Sequence, residues 1–197
     1  MNNVMIAMMG FALVGAVTPG PVNILAISTA VQQGKAEATK LVIGASLAYA
    51  FVVYVSGALL HQVSQWLPML ERGLQVFGSF FLVYLAYKIF TAPVEKVTVG
   101  KADHSGWWQG WLTQLLNPKA WLVAMSGVSL YVIGQLDQQK WLWMFTLVSL
   151  IACVIGVGCW AILGQVFTKF LETPRKQRTF NQVMAITLMA SVSMIWI

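Results

Sequence analysis

Apolar residues run through this chain in long unbroken stretches, not in the alternation of a half-buried strand or the one-sided stripe of a surface helix. Residues 1–34 carry no charge, nor do 41–70, 141–168 and 179–197. A helix that crosses a bilayer needs about 20 mostly apolar residues, and each of these four stretches supplies one. Two further spans fit at 73–90, where Lys88 can snorkel from the end, and at 107–134, which only Lys119 interrupts. The pattern predicts an all-α integral membrane protein with six transmembrane helices over 4–31, 41–60, 73–90, 107–134, 141–167 and 180–197. Trp66, Trp107, Trp108, Trp111, Trp141, Trp143 and Trp196 fall near the ends of these spans, as an interfacial aromatic belt would.

The composition agrees. Charged residues make up 9% of the 197 and hydrophobic ones 58%, whereas a soluble domain is about a quarter charged. One transmembrane domain, 1–197, uses the whole chain. The excess of 12 Lys+Arg over 6 Asp+Glu forms no basic stripe with interleaved aromatics, so it does not point to nucleic acid; in a membrane it is read as topology. Nine basic residues (Lys35, Lys40, Lys88, Lys96, Lys101, Lys169, Arg175, Lys176 and Arg178) fall on one side, against Arg72 and Lys140 on the other. The nine place their loops in the cytoplasm and both chain ends outside. The first apolar run follows Met1-Asn2-Asn3 without a basic leader and far exceeds the roughly 7–15 residues of a signal-peptide core, so it reads as a span. The polar linker 93–106 separates halves 1–92 and 107–197. Three spans per half is an odd number, so the halves have opposite orientation: an inverted-topology 3+3 repeat.

The membrane interior offers little acid–base chemistry. All six acidic residues (Glu37, Glu71, Glu95, Asp103, Asp137 and Glu172) lie in loops or at span edges. His61 and His104 read as solvated interfacial residues. Di-metal sites, metal transport through carboxylates and intramembrane proteolysis by Asp or Ser are all disfavoured. No metal site or other cofactor is called for. Cys153 and Cys159 lie about 240° apart around one helix, which speaks against a disulfide between them.

Two helix breakers carry the functional signal. Span one contains Thr18-Pro19-Gly20-Pro21-Val22-Asn23, and span four contains Leu116-Asn117-Pro118-Lys119-Ala120. Pro19 and Pro118 are 99 residues apart, about half the chain. Proline ends one helix and suits the first position of the next, so each span reads as two half-helices. Their free N-terminal N–H groups attract anions, and paired broken helices at corresponding depths point to a transporter binding site. Two structural kinks satisfied by neighbouring helices are the plain alternative. Lys119 is the sharpest single residue, since a mid-span lysine costs about 2.5–3.5 kcal/mol on insertion scales. It could bind a substrate carboxylate or couple proton movement; pairing with backbone carbonyls is the bland reading. Asn23 and Asn117 offer amides beside the breaks, for a ligand or as helix caps. Gly44, Gly57, Gly78, Gly156, Gly158 and Gly164 read as close-packing positions, and Trp121, Trp160 and the methionines as bilayer core.

The Thr18–Pro21 TPGP resembles the hallmark of the LysE/RhtB superfamily of small amino-acid exporters. So do Gln33-Gly34 followed by the Gly44 span, the Gly78-x3-Leu82-x2-Tyr84-Leu85-x2-Tyr87-Lys88 pattern, and Leu116–Ala120. The resemblance runs the length of the chain. Cys159-Trp160-Ala161-Ile162-Leu163-Gly164 is similar to the cysteine and O-acetylserine exporter branch. The resemblance implies a bacterial inner-membrane exporter of amino acids or close metabolites, driven by the proton gradient; with the loop charges, this makes it a multi-pass protein with both termini periplasmic. It carries the family's motifs onto Pro19, Gly20, Pro21, Asn117, Pro118 and Lys119. Where many members have an acidic or amide residue directly after PGP, this chain has Val22, which favours neutral amino acids over basic ones. The expected partners are a small amino acid, protons and the lipid bilayer, with a homodimer compatible with so small a bundle. An exporter of another solute, such as a metal ion, and a membrane-embedded enzyme remain the alternatives.

Overall fold

The computed structural model describes residues 2–92, 106–168, 170–171 and 173–193. Glu95, Lys96, Lys101, Asp103 and His104 of the linker, with Lys169, Glu172 and Trp196, lie outside the described residues, as do the side chains of His61 and Trp66. Among the described residues eight helices follow one another: α1 (Asn2–Val17), α2 (Pro21–Gln32), α3 (Lys35–Ala58), α4 (Leu60–Phe90), α5 (Gly106–Leu115), α6 (Pro118–Tyr131), α7 (Gln138–Thr168) and α8 (Pro174–Ser193). Among the described residues there is no strand.

Among the described residues two helices, α3 and α7, are each long and apolar enough to cross a membrane, and Val4–Val17 with Pro21–Gln32 meets the same test only as a pair, bent by 59° at its break. The apolar run predicts the interruptions well and the helix ends less well. α3 starts at Lys35 and not at 41, directly after Gly34, whose φ of 86° sets the turn that the preceding helix needs to reverse. α4 starts at Leu60 and not at 73. A charge such as Arg72 marks where a helix leaves the lipid, not where its hydrogen bonds stop. α7 begins with Asp137 accepting from the Lys140 N–H at 3.1 Å, an N-cap.

Most of the helix pairs exchange when the two halves of the chain are exchanged. α3 packs on α5 and α7 on α1; α2 packs on α7 and α6 on α3; α2 touches α8 and α6 touches α4. The pairs α3–α7 and α4–α8 map onto themselves. α3 and α7 therefore form the centre, and α4 and α8 stand together at the side.

Glycines set the closest approaches. A Cβ on Gly44 would overlap the Trp107 carbonyl oxygen, one on Gly110 the Leu41 carbonyl oxygen and one on Gly106 the Glu37 carbonyl oxygen. These three contacts bring the backbones of α3 and α5 together with no side chain between them, which is how helices associate where lipid offers no hydrophobic drive. Gly78 meets the Leu116 carbonyl, Gly156 meets Ala16 and Gly164 meets Ile27 in the same way, whereas Gly57 makes room for the Leu142 side chain. Gly158 departs from the packing expectation: no atom lies within 4 Å of where its Cβ would stand.

Phe11, Tyr131 and Phe145 fill one end of the interior, with the Phe11 and Tyr131 rings edge-on at 5.7 Å. The outer faces are as apolar as the core, with Phe77 at 69%, Phe80 at 73% and Tyr87 at 67% exposed along α4. A row of that size on one helix suits lipid and not water.

Candidate functional site

The break in span one exposes a set of backbone carbonyls, because the end of a helix leaves its last four C=O groups without intrahelical partners. Three side chains from three different helices take them up. Asn23 of α2 turns back and donates its Nδ2 to the Ala16 oxygen at 3.0 Å and the Thr18 oxygen at 2.9 Å. Trp160 of α7 donates its indole N–H to the Val17 oxygen at 3.0 Å. Lys119 of α6 reaches across from the other half of the chain, and its Nζ donates to the Thr18 oxygen at 3.0 Å and the Pro19 oxygen at 3.5 Å. An ammonium at a helix C-terminus meets the negative end of the dipole. The half-buried Lys119 is thus held by carbonyls.

The second break is finished differently. α6 begins at Pro118 as its sequence predicts, and Asn117 caps it by accepting from the Lys119 N–H at 3.2 Å. Asn117 in turn donates its Nδ2 to the Gln114 Oε1 at 3.4 Å. Trp121 closes the end of α5 by donating to the Leu115 oxygen at 2.8 Å. At α2 the N-cap is Gly20 in extended conformation, with no side-chain cap. The two half-helix N-termini are therefore unequal: α6 is capped by its own asparagine, and α2 is open beside Lys119, whose Nζ would stand 3.6 Å from a Cβ on Gly20.

Both breaks face one small cavity of about 30 Å³, lined by Thr18, Gly20, Asn23, Asn117 and Lys119 among others. Pro19, Pro21 and Pro118 shape the breaks but do not line it. A space of that size holds little more than a water molecule, so a larger guest enters only as Lys119 or a half-helix gives way. Tyr49, Gln114 and Cys153 complete the wall. Sequence reading passed over the first two and weighed Cys153 only as a disulfide candidate. The available signal was Gln114, an uncharged amide three residues before Asn117 in a mostly apolar run. Trp121 and Trp160, read as bilayer core, also bind the breaks. Cys153 and Cys159 are both free thiols, one buried and one exposed. Among the described residues no group of three or more His, Cys, Asp and Glu could hold a metal ion.

The family profile of LysE-type translocators matches residues 13–192, and so takes in both breaks and every residue of this cavity. The chain belongs to the LysE-type translocator family. As a LysE-type translocator it is a membrane transporter and not an enzyme. It is 28% identical over 178 residues, 90% of each chain, to the cysteine/O-acetylserine efflux proteins of Escherichia coli strain K12, Shigella sonnei and Shigella flexneri. No solved structure matches it.

Proposed function

We propose that this LysE-type translocator exports a small neutral amino acid of the cysteine or O-acetylserine type across the bacterial inner membrane, with protons as the coupling ion. The observation that carries this reading is the meeting of the two helix breaks at one cavity, bridged by Lys119. The substrate carboxylate lies between the open N-terminus of α2 and the Lys119 ammonium, both of which carry positive charge. The substrate ammonium takes the place of Lys119 on the Thr18 and Pro19 carbonyls, which accept a cation already. Asn23 and Asn117 hold the breaks in shape around it. The names of the similar efflux proteins and the neutral Val22 after PGP support the neutral substrate class.

Six spans in a 3+3 inverted repeat, with broken helices in spans one and four and both termini periplasmic, are the architecture of this reading. The exchange of helix partners between the halves supports it, since a two-fold relation would produce that exchange. Rocking of one half against the other about α3 and α7 then alternates access to the cavity. A homodimer is the assembly we favour for a bundle of this size. Uptake of labelled O-acetylserine into inverted membrane vesicles, with and without an imposed proton gradient, tests the function. Gradient-driven uptake is expected; its absence in vesicles shown to contain the inserted protein would reject the reading.

A further inference from the structure

The cavity wall formed by α3, α5 and α7 has hydrogen-bonding capacity that the fold leaves unspent. Gln114 is 5% exposed, Cys153 1% and Tyr49 5%, and all three border the cavity. The Gln114 Oε1 is occupied by Asn117. Its Nε2, however, finds only the Cys153 Sγ, at 3.9 Å. Sulfur is a weak acceptor, and a buried amide normally finds strong partners for its hydrogens. This amide donor is therefore only weakly partnered where it borders the cavity, three residues before the cap of α6. A structural link between α5 and α7 would be served better by an apolar contact or by a serine at 153.

Resting on the exporter reading above, we propose that Gln114 selects the substrate by its side chain, donating its Nε2 hydrogen to an oxygen acceptor there. The ligand class is a small neutral amino acid whose side chain carries a hydroxyl or an ester carbonyl, in preference to an aliphatic one of the same size. The α-amino and α-carboxylate groups lie at the break between α1 and α2, and the side chain then crosses the cavity to Gln114. Binding exchanges the long contact to sulfur for a bond to oxygen. An aliphatic chain leaves the amide with sulfur alone and gains nothing. Cys153 tunes the choice by being too poor an acceptor to hold Gln114 for itself.

The test is competition by homoserine and by norvaline, a pair that differs by hydroxyl against methyl, against labelled O-acetylserine uptake into inverted vesicles. The wild type should prefer homoserine by about tenfold, the scale of one hydrogen bond from a buried amide. Gln114→Met keeps length and volume and should bring that ratio close to one while norvaline still competes. Cys153→Ser supplies a stronger acceptor that competes for the amide, so it should lower the ratio; Cys153→Ala should hold or raise it. A ratio unchanged in Gln114→Met overturns the proposal. If that variant is not inserted, equal ratios in Cys153→Ser and Cys153→Ala overturn it instead. No uptake of labelled O-acetylserine by the inserted wild type rejects the exporter reading itself, a result distinct from uptake that homoserine and norvaline inhibit equally, which overturns only the role of Gln114.

Discussion

Replacing Lys119 by methionine separates its structural task from the transport task proposed for it. The substitution keeps an unbranched side chain and removes an ammonium that bonds the Thr18 oxygen at 3.0 Å and the Pro19 oxygen at 3.5 Å. Thr18 keeps a donor, because Asn23 Nδ2 lies 2.9 Å from the same oxygen, so only the Pro19 carbonyl is stranded. Pro19 is exposed, so its carbonyl costs at most the roughly 1–3 kcal/mol of a buried unsatisfied group. Against this, a lysine in mid-membrane costs about 2.5–3.5 kcal/mol to insert, and methionine does not. The two nearly cancel, and the variant should insert with a thermal midpoint in detergent close to the wild type. Transport should respond very differently. A hydrogen bond to a charged group contributes about 1.5–3 kcal/mol, which at 1.4 kcal/mol per tenfold is a loss of roughly 10- to 150-fold in O-acetylserine uptake at limiting concentration. Uptake into inverted vesicles, normalised to inserted protein, is the assay. Full uptake combined with a clear drop in thermal midpoint would refute the reasoning, because it would make Lys119 a cap for α1 and nothing more.

Asn23→Ala removes both Nδ2 hydrogen bonds to the end of α1, and should lower the detergent midpoint by an amount matching about 1–3 kcal/mol; a midpoint equal to the wild type would show that water replaces the amide. Gly44→Ala drives a methyl into the Trp107 carbonyl and should cost about 1–3 kcal/mol by overpacking, whereas Gly158→Ala, with nothing within 4 Å, should be tolerated; thermal melts of the two side by side check the contrast. Glu37 outside the spans is held below the ordinary carboxylate range by its hydrogen bond from Lys40 and by the Gly106 N–H. A lowered folded value means its stabilisation is present above its unfolded pKa and lost as pH falls through the folded one. Melting midpoints should therefore hold above about pH 5 and fall below about pH 4, with a smaller fall in Glu37→Gln; identical profiles would remove Glu37 from that transition.

The unbroken apolar runs of 1–34 and 141–168 could be satisfied only in lipid, so the class of protein was determined before any tertiary contact. The prolines likewise determined where α1 gives way to α2 and α5 to α6, because a residue without an N–H that clashes with the preceding turn breaks a helix in any environment. Those constraints are local. The partners of the freed carbonyls are not: Lys119 lies 101 residues from Thr18 and Trp160 lies 143 residues from Val17, and only packing decided that they meet. The inequality of the two half-helix ends was written in Gly20 and Asn117, but its meaning arose when Lys119 came to stand beside the uncapped one. Tyr49, Gln114 and Cys153 sit on three helices whose spacing is set by glycine contacts between α3 and α5 and by the centre that α3 forms with α7. An amide in a mostly apolar run carries no sign of which neighbour it will face. That direction belongs to the tertiary structure, because in lipid helix association depends on close packing and on hydrogen bonds that only the assembled bundle contains.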